Sequence, residues 1–173
     1  ERPGIGASSP HLYPNVLGWA ADAGEAADRL GIGRYACVGL SGGGPYVLAC
    51  AHEHADRMVV GAVLGGVAPA RGADAVPGGL VGALAPVAPV VGAVRAPLNL
   101  ALWSAVQCVL PLRSLVFDLY VRTSPEGDRR VFERPEMKEM FLDDLVRAVR
   151  RGVGAPLADL GLFAREWGFS PSG

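Results

Sequence analysis

Lysine is almost absent: of 16 basic residues in the 173-residue chain, only Lys138 is a lysine. The 17 acidic residues leave a formal net charge of −1. A chain so balanced carries no electrostatic footprint for nucleic acid and none for an anionic lipid surface. Cysteine is scarce as well. Cys37, Cys50 and Cys108 form an odd set in three apolar contexts, YACVG, VLACAH and AVQCVL, and none has CxxC spacing. That argues against a disulfide framework or a thiolate metal site, and predicts buried free thiols in a reducing, cytoplasmic compartment. No charged n-region, apolar h-region and small-residue cleavage site opens the chain. It starts with Glu rather than Met and runs straight into ERPGIG, which predicts that the sequence begins inside a longer one. No cofactor or metal is expected.

What is present is apolar: 50% of the residues are hydrophobic, ample for a core. Residues 1–14, rich in Gly, Pro and Ser, read as a loop. Asn15 is placed to cap a helix over about 15–30. Val16, Trp19, Ala20, Ala23, Ala27 and Leu30 share one face of it, and Gly31 stands where a left-handed cap would be. Tyr35–Leu40 and Met58–Leu64 are short apolar runs that predict two buried strands. Between them, Gly42–His54 reads as a helix, with Pro45 tolerated in its first turn. Helix, strand, helix and strand in this order predict parallel pairing and the α/β class.

From residue 67 to 117 charge nearly disappears. The length would allow a membrane hairpin. Pro77, Pro86, Pro89 and several glycines interrupt the first half, however, and Arg95 and Arg113 punctuate the rest. Apolar helices lining a pocket or lying on a core are the favoured reading. Pro135 opens a further helix with Met137, Met140, Phe141 and Leu145 as its apolar stripe, and Gly152 ends it. Pro156–Trp167 is a last amphipathic piece with Leu157, Leu160, Phe163 and Trp167 inward.

Gly39-Leu40-Ser41-Gly42-Gly43 satisfies G-x-S-x-G, with a predicted strand before it and a helix after it. A turn that tight strains the serine backbone and stands its hydroxyl clear of the sheet. Gly39 and Gly43 are expected to be small because residues on either side of the serine approach each other. The Gly42 N–H, backed by the helix N-terminus, is aimed at the oxyanion formed when Ser41 attacks a carbonyl. GLSGGGP lacks the Lys-Ser/Thr ending of a phosphate loop. GIGRYA mimics a dinucleotide fingerprint but follows a helix and precedes a strand, the reverse order.

These residues resemble the α/β-hydrolase superfamily. ERPGIGASSP is similar to the D-R-P-G-x-G-x-S loop after its fourth strand, and ADRLGIGRYACVGLSGGG to its helix, Leu-Gly, strand and elbow. AHEHADRMVVGAVL resembles the helix end and sixth strand, and LFAREWGF the return from cap to core. The resemblance implies a partial α/β-hydrolase fold of parallel strands with flanking helices plus a helical cap. Residues 1–67 would be core with the elbow, 68–155 the cap, and 156–173 the return. It implies Ser41 as the nucleophile of an esterase- or lipase-like hydrolase acting through an acyl-enzyme on a small molecule, an apolar ester being favoured by the apolar cap. Serine rather than aspartate at the elbow argues against dehalogenase and epoxide hydrolase chemistry.

Such a serine needs a histidine base and a carboxylate. His11 precedes Ser41, and His52 and His54 fall at the far end of the helix it starts, roughly 20 Å away at 1.5 Å per residue. His54 is expected to face solvent there. Relatives carry the acid and then the histidine after the W-G-F element, and the early strands before the first loop. This chain is therefore expected to be an internal piece, inactive by itself, with Asp74 a minor alternative acid. Two other readings compete: a non-catalytic hydrolase-like ligand-binding or interaction protein, and a membrane-associated protein with residues 75–117 as an interfacial lid.

Overall fold

The structure is a computed structural model that describes residues 2–172, the side chain of Leu80 excepted. Glu1 and Gly173, the outermost residues of the opening loop and the closing segment, lie outside them. The described residues form a mixed α/β chain whose sheet is two parallel strands. It divides into two compact units: residues 12–93 with 156–173, and residues 1–11 with 94–155.

In the first of these units, α1 (Gly18–Arg29) starts three residues after Asn15. The Asn15 side chain still does capping work, since its Oδ1 accepts from the Gly18 N–H at 3.1 Å. At the other end Gly31 has φ +68°. Its N–H donates to the Asp28 carbonyl at 3.0 Å and the Ile32 N–H to Ala27 at 2.8 Å, the double bond pattern of a left-handed helix cap. Val16 just before the helix, and Ala20 and Ala27 within it, are buried as the spacing predicts, whereas Leu30, the last residue of the predicted stripe, is 73% exposed.

β1 (Tyr35–Leu40) leads through a single 3-10 turn, Ser41–Gly43, into α2 (Gly44–Glu53). Pro45 sits in the first turn of α2, where its missing N–H has no intrahelical partner to lose. β2 (Met58–Leu64) then pairs parallel to β1, with Cys37 opposite Gly61 and Leu40 opposite Leu64. Glycine lets helix and sheet approach closely. A Cβ on Gly39 would lie 2.7 Å from Val47 Cγ2, and one on Gly61 would lie 3.1 Å from Val47 Cγ1. Val47 of α2 thus seats in a notch left by one glycine from each strand.

The expectation of two buried strands is corrected. Odd positions of β1 face α2, but Val38 and Leu40 on the other side are 71% and 72% exposed, and most of β2 is exposed too. Parallel strands are normally covered on both faces. Among the described residues of this unit, only one face is covered.

α3 (Gly79–Leu84) and α4 (Ala88–Ala93) follow in the same unit, where Ala85, Ala88 and Ala164 form a small apolar cluster. The main core gathers Val16, Ala20, Tyr46, Ala49, Cys50, Leu162, Phe163 and Trp167. Tyr46 lies 5.1 Å from Trp19 and 5.7 Å from Phe163 between ring centroids. Phe163 and Leu162 come from α9 (Gly154–Phe163). The Trp167 carbonyl accepts from the Leu17 N–H at 3.0 Å, which ties the closing segment to the start of α1. The inward placement of Phe163 and Trp167 follows the predicted pattern.

The other unit is helical: α5 (Arg95–Val109), a 3-10 turn, α6 (Arg113–Thr123), α7 (Glu126–Phe132) and α8 (Pro135–Val149). Pro135 stands in the first turn of α8 as its sequence suggests, and Gly152 follows with φ +105°. Phe117, Phe132 and Phe141 stack edge-on and tilted at 5.4–6.0 Å, and Lys138 bonds Asp118 at 2.6 Å. Residues 95–123 form one helical stretch long and apolar enough to cross a membrane by length and composition. Little of it is buried, which corrects the expectation that it lies on a core: within this unit Phe117 and Val121 are its buried large side chains. Met140, Phe141 and Leu145 of the α8 stripe are exposed as well. Cys108, expected to be buried, is exposed on α5.

Candidate active site

The chain leaves β1 extended at Leu40 (φ −97°, ψ 134°) and must turn at once into a helix. Ser41 makes that turn with φ +51°, and among the described residues it is the one non-glycine with positive φ. A left-handed backbone costs an L-residue about 1–2 kcal/mol, so the strain is concentrated on this serine. Its side chain is exposed. Its carbonyl is occupied, accepting from the Gly44 N–H and, at 3.4 Å, from the Val67 N–H beyond β2. The elbow is thereby tied to both strands' ends. Gly42 is the next residue of the 3-10 turn, where the amides at a helix start have no intrahelical partner.

Each glycine around Ser41 has a different reason for being there. A Cβ at Gly39 would fall 2.5 Å from the Gly43 carbonyl oxygen and 2.6 Å from its carbon. That is backbone on backbone, and only glycine fits. At Gly43 nothing lies within 4 Å of the added Cβ, and its φ of −78° is ordinary. The steric requirement expected at position 43 is therefore absent. It falls instead on Gly44, whose Cβ would meet Val63 Cγ1 at 2.9 Å and the Gly66 Cα at 3.0 Å. Sequence reasoning missed Gly44 and Gly66. Their signal was the Gly-Gly pair directly after the second strand.

Neither histidine of this unit reaches Ser41. His54 follows the C-terminal end of α2, which runs about 15 Å over its ten residues. Its Nδ1 hydrogen-bonds the hydroxyl of Tyr35, the first residue of β1, whereas Ser41 follows the last residue, about 20 Å along a six-residue strand. His54 is also not the solvent-facing residue expected. It is half-buried, and Gly24 of α1 makes room for it: a Cβ there would lie 2.8 Å from Nε2. His52 stacks on Phe169 with centroids 5.2 Å apart. His11 belongs to the other unit.

Asp74, the alternative acid, is engaged by two hydroxyls, Ser172 at 2.5 Å and Ser170 at 2.7 Å. The Ser172 bond first, then that of Ser170, holds its carboxyl below the usual range. Tyr46, in the first turn of α2, donates to Asp159 Oδ1 of α9 at 2.7 Å and so braces the helix that begins at the elbow. Among the described residues no group of three or more His, Cys, Asp or Glu side chains is placed to hold a metal ion. No protein-family model matches the chain, and no curated protein matches it either.

Proposed function

We propose that Ser41 is the nucleophile of a serine hydrolase of the α/β-hydrolase type. The observation that carries this reading is the left-handed backbone of an exposed serine set directly between a parallel strand and a helix. In that chemistry the Ser41 Oγ adds to the carbonyl carbon of an ester as a base takes its proton. Negative charge collects on the carbonyl oxygen, where the Gly42 N–H and the start of α2 favour it. Collapse expels the alcohol and leaves an acyl group on Ser41, which water then removes. The substrate class is a small apolar ester. Neither His52 nor His54 is placed to act as that base, because both are committed at the opposite end of α2.

That same placement of the histidines favours a second reading, a hydrolase-like module that binds a ligand without turning it over. Hydrolysis of p-nitrophenyl butyrate by the natural gene product separates the two. Steady turnover that falls by at least about a thousandfold on Ser41→Ala supports the hydrolase. Turnover indifferent to Ser41→Ala, or none at all, overturns it. Residues 1–173 alone are expected to give no rate above buffer, and a Ser41-dependent rate from them would place the base inside this chain.

A further inference from the structure

A second cluster of reactive side chains lies at the opposite end of β1 from Ser41. Odd positions of the strand face α2, and two contacts fix their register. Gly39 lies under Val47, and Tyr35 bonds His54. Cys37 is midway between Gly39 and Tyr35 on the strand, and Cys50 is midway between Val47 and His54 on the helix. The two thiols are accordingly within hydrogen-bonding reach of each other, and Cys50 of the Tyr35 hydroxyl. Cys37 is half-buried and Cys50 fully buried.

We propose that Cys37 and Cys50 are a dithiol that a small peroxide closes into a disulfide between β1 and α2. Cys37, the more accessible, is oxidised first: its sulfur attacks a peroxide oxygen, the O–O bond breaks, and a sulfenic acid and one water result. The Cys50 sulfur then attacks the sulfenic sulfur. An S–S bond forms, the S–O bond breaks, and the hydroxyl leaves with the thiol proton as a second water. Two electrons pass from the two thiols to the peroxide. The closed ring holds fourteen residues, Cys37 through Cys50, with the Ser41 elbow inside it. Burial pushes both thiols above their ordinary value, Cys50 to about 12. Both thiols are therefore protonated at neutral pH, where closure is slow, and the pair closes faster as pH rises. The inference stands whether or not Ser41 is a nucleophile.

Cys37 and Cys50 share the tryptic peptide 35–57, and Cys108 lies in 96–113, so pairing reads directly from mass. The 173-residue chain is treated with hydrogen peroxide, alkylated and digested without reduction, once in buffer and once in urea. Tryptophan fluorescence confirms the two states. In buffer, peptide 35–57 is expected two hydrogens lighter with neither cysteine alkylated, and in urea it also appears cross-linked to 96–113. The same pairings in both arms, or a Cys37 carrying extra oxygens beside an alkylated Cys50, overturns the proposal. The Cys50→Ser variant is expected to accumulate a Cys37 sulfenic acid that dimedone traps. In the chain-entropy picture a ring of this size raises the folding constant by roughly a hundredfold, read as a higher urea midpoint for the oxidised form.

Discussion

Gly39→Ala and Gly43→Ala make the same chemical change two residues either side of Ser41, and the structure assigns them opposite signs. At position 39 the new methyl would sit 2.5 Å from the Gly43 oxygen and 2.7 Å from Val47 Cγ2. The nearest obstacle is backbone, which cannot swing aside as a side chain can. Overpacking of this kind costs about 1–3 kcal/mol, and a rigid obstacle puts it at the upper end. Removing a glycine from the unfolded chain returns about 0.4–1 kcal/mol. The net is a loss of about 2 kcal/mol. At position 43 the space is open and the backbone helical (φ −78°, ψ −21°), so only the gain remains. The two variants should differ by about 3 kcal/mol. At an m-value of about 2 kcal/mol/M, that separates their urea midpoints by about 1.5 M. Trp19 and Trp167 pack in or against the core that includes Tyr46 and report the transition by fluorescence. A Gly39→Ala protein as stable as Gly43→Ala would refute the close approach at the elbow.

Two further outcomes follow from the same unit. Ser41→Gly should be more stable than Ser41→Ala by about 0.5–1 kcal/mol, because both lose the hydroxyl and only glycine relieves a left-handed backbone; equal urea midpoints would remove the strain argument. Stability should also fall as pH rises above 9. Burial, reinforced by the neighbouring cysteines, holds Tyr35 at about 12 against an ordinary 10.0, and burial holds Cys50 at about 12 against 9.0. The folded chain thus keeps protons the unfolded chain gives up, so the contribution is complete below pH 9 and lost progressively toward pH 12. A urea midpoint unchanged from pH 8.5 to 11, or a fall that Cys50→Ala combined with Tyr35→Phe does not reduce, would contradict this.

Local chemistry was the most legible part of this chain. The Gly31 cap, Pro45 in a first turn, Pro135 at a helix start and the strand–turn–helix at Ser41 each depend on a few adjacent residues, and each is where its pattern points. Burial was not legible at the same level. YACVGL and MVVGAVL read as buried because they are uniformly apolar, yet what covers a strand is decided by distant chain, and here α2 covers one face only. Residues 96–117, whose apolar run suggests packing on a core, are mostly exposed for the same reason. His54 was placed in solvent because the helix pattern cannot see Gly24, thirty residues earlier at α1's inner face, or the Tyr35 hydroxyl. Gly43 and Gly44 were interchanged for a related reason. G-x-S-x-G spacing marks the elbow, while the tight contact at Gly44 depends on Val63 of the neighbouring strand and Gly66 just beyond it.

The site of attachment of a fluorophosphonate to the natural gene product tests the central claim most directly. Tryptic peptide 35–57 contains Ser41 as its sole serine, so an adduct there identifies the nucleophile without ambiguity. An activated Ser41 gives that adduct, and Ser41→Ala abolishes it. An ester-hydrolysing protein whose adduct lies on another peptide, with 35–57 unmodified, would contradict the account.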